Sequence, residues 1–271
     1  MDKKLRILIA HNYYLLPGGE DQAFHNEMNL LRDHGEQVNE YTEHNNLING
    51  LNKIDLSIST LWSRKSYEKL KCIIGFFKPD LVHFHNTFPL ISPSAYYACR
   101  SADIPVVQTL HNYRLLCASA LFFRKGKPCI DCLTRSFAWP AFLYSCYRDS
   151  FMATAGVEAM VLFHRLLSTW RKRVDCYITL SEFARQLFIQ GGIPLEKLCV
   201  MPNFVYSDPG KKESQRKYAL FVGRLSTEKG IDILLRAWSS LGKIPLHLAG
   251  EGPRQAAINS MINDLHLQNI V

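Results

Sequence analysis

Arg224 and Lys229 stand five residues apart in the stretch FVGRLSTEKG, just behind Gly223. An arginine fork and a lysine point charge at that spacing suit a diphosphate. A surface turn carrying two solvated cations fits the same pattern. Three histidines, His11, His85 and His111, are each followed by Asn. Imidazole both donates and accepts, and it titrates near neutral pH. Three of them at neighbouring strand ends would line a polar cleft, with His111 the candidate for chemistry; one alone would more often be structural. Gly18-Gly19, in PGGE, can bring backbone N–H groups close to a ligand. Cys117, Cys129, Cys132 and Cys146 follow the pattern C-x11-C-x2-C-x13-C. Four thiolates so spaced can complete a tetrahedral zinc site. A disulfide pair, or four unconnected thiols, fits too.

Periodicity supplies the elements that must position these groups. The apolar run over 218–222 stops at Gly223, and apolar residues then recur at Ile231, Leu234, Leu235, Trp238 and Leu241. That pattern predicts strand, turn and helix. It sets both cations beside a helix start, where free N–H groups and the positive dipole end favour an anion. Upstream, strands are predicted over Leu5 to Ala10, Gln37 to Thr42, LVHFH after Pro79-Asp80, VVQTLH after Pro105, Cys176 to Leu180 and Leu198 to Met201. Helices are predicted through Phe24, Met28 and Leu31, over Ile54 to Phe77, over Phe151 to Arg173, and after Ser181. Such alternation predicts an open parallel α/β sheet, with His85 and His111 on its carboxyl edge, where ligands bind. The stretch from Asn112 to Tyr147 is irregular and rich in cysteine and aromatics. Cys72, Cys99, Cys176 and Cys199 sit in apolar patterns and read as small core residues.

Length and composition bound the answer. The chain has 271 residues, 47% hydrophobic and 21% charged, with a formal net charge of +8. This is a folded, roughly two-domain chain suited to anionic partners. The expected division is 1–205, a polar linker over 206–217, and 218–271. The apolar run after Lys3, Lys4 and Arg6 is too short for a signal peptide, and no stretch approaches the ~20 apolar residues that span a bilayer. A cytoplasmic location with reduced cysteines follows. The part after the linker is small for a covered sheet, and residues 268–271 look like a third strand cut short, so a C-terminally truncated chain is expected. No nucleic-acid module is present, and binding to nucleic acid has only net charge behind it.

Several stretches in order, PGGED, PDLVHFHN, VVQTLHNYRLLC, YITLSEFARQLF, VMPNFV, FVGRLSTEKGIDILLRAW and LHLAGEGP, resemble the GT-B retaining glycosyltransferases of family 4. The resemblance covers nearly the whole chain. It implies a complete N-terminal, acceptor-side Rossmann-like domain and an incomplete C-terminal domain that binds a nucleotide sugar. The implied activity is of hexosyltransferase type: a sugar moves, with retention, from a nucleotide-diphosphate donor to a hydroxyl of a glycan or lipid-linked acceptor in polysaccharide or glycan assembly. Arg224 and Lys229 match the diphosphate grip, Gly18 and Gly19 the loop nearing the donor phosphates, His111 the histidine beside the transferred sugar, and Glu251 a residue facing the nucleotide. The GT-B type works without a metal, and no Asp-x-Asp motif is present, so no catalytic cofactor is expected. The family's acidic pair would fall beyond Val271, so weak or absent transfer is expected of this chain. A non-catalytic remnant that binds nucleotide sugar is the alternative. Basic aromatic stretches over Trp62 to Lys78 and Phe163 to Arg173 suit peripheral contact with the inner face of a membrane; ordinary solvated helix faces fit as well.

Overall fold

The computed structural model describes residues 3–210, 217–241, 244–267 and 270. Its strands are β1 (Arg6–Tyr13), β2 (Gln37–His44), β3 (Leu81–Asn86), β4 (Val106–Leu110), β5 (Phe123–Arg124), β6 (Lys127–Pro128), β7 (Cys176–Thr179), β8 (Leu198–Val200), β9 (Ala219–Val222) and β10 (Leu246–Ala249). Its helices are α1 (Gly19–Asp33), α2 (Lys53–Leu61), α3 (Arg64–Phe77), α4 (Ser94–Arg100), α5 (Trp139–Leu143), α6 (Phe151–Leu166), α7 (Thr169–Lys172), α8 (Glu182–Gln190), α9 (Ile231–Ser239) and α10 (Gln255–Asp264). They fall into two compact units: residues up to 122 with 129–208, and 123–128 with the residues after 208. Among the described residues no helix is long and apolar enough to cross a membrane.

In the first unit six strands form one sheet in the order β2-β1-β3-β4-β7-β8, every pair parallel. The order reverses between β1 and β3, which places the switch-point crevice at their carboxyl ends. Period-two alternation decides what each face holds. Leu8, Ala10, Val82, Phe84 and Val106 enter the main core, whereas Ile7 and Ile9 pack with Phe24 and Met28 of α1. Carried on toward the carboxyl edge, the α1 face passes from isoleucine to His11 on β1, to His83 and His85 on β3, and to Thr109 on β4. A polar layer thus caps an apolar one beneath the same helix.

Two predicted helices are broken. The run from Ile54 to Phe77 divides at Ser63, which caps α3 by accepting the Ser66 N–H and donates its own N–H to Ser92 Oγ at 2.9 Å. The run from Phe151 to Arg173 divides where Ser168 turns left-handed. Elsewhere the caps read as expected: Ser181 Oγ accepts the Ala184 N–H and starts α8.

In the second unit β9 and β10 pair in parallel. The buried core is Leu225, Ile231, Leu235, Leu246, Ile258 and Leu267. Ile270 bridges to Leu246 in parallel, where the third strand was expected; residues 268, 269 and 271 lie outside the described residues, as do 211–216 of the linker. The turns after β9 and β10 lock together through Leu225 N–H to Glu251 O and Arg254 N–H to Leu225 O. This closeness requires glycine, since a Cβ on Gly250 (φ +149°) would lie 2.0 Å from Gly223 O. Gly250→Ala therefore costs on the order of 3 kcal/mol, and so small a core cannot absorb it. Hydrogen exchange should show protection lost across 217–267 and kept in the first unit.

Candidate active site

The carboxyl edge of the first unit is built by helix α1 lying over the histidine layer. His83 Nδ1 meets Glu27 Oε1 at 2.5 Å, and His83 Nε2 meets Thr109 Oγ1 at 2.8 Å. His85 Nε2 lies 3.3 Å from Glu27 Oε2, a charge–dipole contact outside hydrogen-bond alignment. His85 Nδ1 meets His111 Nε2 at 3.0 Å with the rings stacked. Burial raises the Glu27 carboxyl, but the hydrogen bond from His83 and the closeness of the His85 ring outweigh it and hold the group well below its usual range. Burial pushes His85 down to about 4, and burial followed by its histidine neighbours pushes His111 down to about 3.

These directions fix the proton positions. With Glu27 ionised, His83 Nδ1 donates to the carboxylate. The neutral His85 turns Nε2–H toward the carboxylate, so its Nδ1 accepts from His111 Nε2–H. His111 Nδ1 is left as a lone-pair acceptor. Glu27, His83 and His85 are also the one described group of three possible metal ligands within 4.8 Å of one another. The 2.5 Å contact between Glu27 and His83 is a hydrogen bond, and the cluster reads as a proton-ordered network.

Acid should undo this layer. Between pH 6.5 and about 4 the unfolded histidines take up protons that folded His85 and His111 refuse, so stability falls as pH drops. Glu158 opposes this: burial raises its carboxyl to about 7, so it adds stability as pH drops from 7 toward its unfolded value. Two groups outweigh one. We expect the melting midpoint to fall steadily from pH 6.5 to 4.5 in a scan, and Glu158→Gln to steepen the fall.

The other predicted residues divide by role. His11 Nε2 meets Asp21 Oδ1 at 2.6 Å, and Asp21 Oδ2 accepts the Gly18 N–H at 2.7 Å. His11 therefore anchors the glycine loop to the sheet. Of the two glycines only Gly19 keeps its N–H for a ligand. Neither glycine is imposed by the fold, because a Cβ at either would meet nothing within 4 Å. The asparagines beside the histidines knit the edge. Asn12 accepts the Leu90 N–H and donates to Asn45 Oδ1, while Asn86 donates to Asn12 O and accepts the Phe88 N–H. His85, Asn86, His111, Tyr14 and Arg114 line one pocket, and Glu27, His85, His111 and Asn203 line another.

In the second unit Arg224 and Lys229 occupy the turn between β9 and α9, with Lys229 ending a short 3-10 turn before Gly230. Both are exposed. Among the described residues neither makes a side-chain hydrogen bond or ion pair, in contrast to Arg254, which binds Asp232 at 2.6 Å. Glu251 is exposed on the facing turn. Sequence reasoning missed Glu27 and Asp21. A carboxylate at 27, between Phe24 and Met28 on the apolar face of α1, was the signal available.

These are the sheet, edge and turn of a GT-B glycosyltransferase. Residues 33–208 match Glycosyltransferase Family 4, and residues 205–271 match Glycosyl transferases group 1. The chain belongs to glycosyltransferase family 4. No curated protein matches it in sequence. Among solved structures it is similar to the lipopolysaccharide outer core galactosyltransferase WaaB in its apo form, at 14% identity and TM-score 0.57, over 98% of this chain and 67% of that one. It is likewise similar to Anabaena HepE in complex with UDP and glucose, at 16% identity and TM-score 0.57, over 98% and 68%. Both likenesses bear on the fold.

Proposed function

We propose that this glycosyltransferase takes its sugar from a nucleotide-diphosphate donor gripped by Arg224 and Lys229, and passes it with retention to a hydroxyl of a glycan or lipid-linked acceptor in polysaccharide assembly. The observation that carries the reading is two exposed, unpartnered cations at the carboxyl end of β9, where the fold gives them no work of its own. HepE was solved with UDP and with UDP-glucose, which supports this donor class. As the glycosidic bond breaks, negative charge builds on the departing diphosphate. Fixed cations and N–H groups aimed at that charge lower the barrier most, and in this reading Gly18 and Gly19 belong to the loop that nears the donor phosphates. In this reading no protein nucleophile is needed, and a donor phosphate oxygen assists the acceptor proton. His111 Nδ1, as a lone-pair acceptor, takes a hydroxyl of the transferred sugar, and Glu251 faces the nucleotide.

A panel of nucleoside diphosphates and their sugar derivatives, screened by thermal shift, tests the donor class, since a ligand that binds only the folded state raises its midpoint. No shift with any of them would count against the reading. In a donor-turnover assay, His111→Ala should lower turnover about 10²–10⁴-fold with the melting midpoint little changed. Near-normal turnover would remove His111 from the chemistry. Peripheral contact with an anionic membrane suits a lipid-linked acceptor: on the basic stretches, Phe76 is 86% exposed and Leu166 is 76% exposed. Sedimentation with vesicles containing and lacking anionic lipid decides it.

A further inference from the structure

The segment over 112–147 is long and poorly supported by secondary structure. Its described regular elements are the two-residue strands β5 and β6 and the five-residue helix α5. Within it Ala120, Phe122, Lys125 and Ser145 all take left-handed backbone angles, each unfavourable for a residue with a side chain unless its surroundings impose it. Few such segments hold one shape without a staple.

The eight cysteines of the chain sort into two groups. Cys72 is exposed on α3, Cys99 is buried in the main core, and Cys176 and Cys199 sit side by side on neighbouring strands. The other four all lie in this one segment, and three of them, Cys117, Cys132 and Cys146, pack against the main core. Ala141 of α5 holds Cys146: its carbonyl accepts the Cys146 N–H at 3.1 Å. Cys117 approaches from the turn after β4, its sulfur 3.3 Å from Ser119 Oγ. Cys129 follows the β5–β6 hairpin, its N–H held by Phe122 O at 2.8 Å. It is three residues from Cys132, so the two can grip one ion as a two-residue clip does.

We propose that Cys117, Cys129, Cys132 and Cys146 form a structural site for one thiophilic cation, zinc first, that fastens this segment to the sheet. The donor set is four sulfurs, which suits a closed tetrahedral centre with no open position for substrate. The sulfurs do not stand within 4.8 Å of one another. Zinc–sulfur bonds of about 2.3 Å in a tetrahedron would draw them to about 3.8 Å. The site asks nothing of the donor or acceptor, so it stands or falls apart from the glycosyl-transfer reading.

The test is metal analysis by plasma mass spectrometry on the whole chain, purified without chelator. About one zinc per chain is expected, with four of the eight thiols shielded from a thiol reagent until a strong chelator is added. Cys129→Ser should lose the metal and lower the melting midpoint, and Cys72→Ser should do neither. Should the Cys129 variant fail to fold, cobalt replacement in the unmodified chain answers the same question, since four thiolates give tetrahedral cobalt an intense thiolate-to-metal absorption. Iron at the same occupancy, lost in the same variant, upholds the site and changes only the ion. Zinc and iron both far below one per chain, with no cobalt–thiolate band, would overturn the proposal. So would an intact-mass deficit showing these cysteines paired as disulfides.

Discussion

Replacing Arg224 and Lys229 together by alanine should weaken binding of a nucleoside diphosphate by about 10²–10⁴-fold, read by calorimetric titration, without changing the fold. The size follows from two charge-assisted hydrogen bonds of about 1.5–3 kcal/mol each. The unchanged fold follows from exposure: neither side chain holds anything among the described residues, so alanine exposes no buried partner. Arg224→Lys should recover only part of the loss, because an ammonium cannot offer the planar fork. Lys229→Arg should recover more, since a point charge is what that position supplies. Equal affinities in the double variant and the unmodified chain would mean that the phosphates sit elsewhere.

Glu27→Gln should be the most damaging single change in the first unit. Its carboxylate is largely buried and serves two histidines, at 2.5 Å and 3.3 Å. Losing the charge-assisted hydrogen bond to His83 costs about 1.5–3 kcal/mol. At roughly 2–4 °C per kcal/mol for a unit of this size, the melting midpoint should drop by about 3–12 °C. A second readout separates proton ordering from packing. Imidazole nitrogen shifts should place the His111 proton at Nε2 in the unmodified chain and show a mixture of tautomers in the variant. A midpoint unchanged by Glu27→Gln would mean the cluster does not order the edge.

Much of the first unit was legible because buried parallel strands announce themselves as apolar runs, and because Ser181 and Gly35 mark helix ends by chemistry. The histidine row was legible in outline: alternate residues on β3 share a face, and each of the three strands ends in His-Asn. The division of labour inside those pairs was not. That Asn12 and Asn86 hold loops while His85 meets His111 depends on contacts made by residues far apart in sequence. Glu27 escaped for a similar reason, since a carboxylate on a helix is usually solvated and only the overlying β3 histidines reveal that this one is not. The break at Ser63 hinges on Ser92, which no local pattern can announce. In the second unit the strand–turn–helix order was plain, yet the need for Gly250 appears only when its turn is seen against Gly223 O.

A crystal structure of this chain with a bound nucleoside diphosphate tests the central claim most directly. Both phosphates are expected in the turn after β9, with the Arg224 guanidinium and Lys229 Nζ within hydrogen-bonding distance of their oxygens. Phosphates seated on any other part of the chain, with those two side chains still free in solvent, would contradict it.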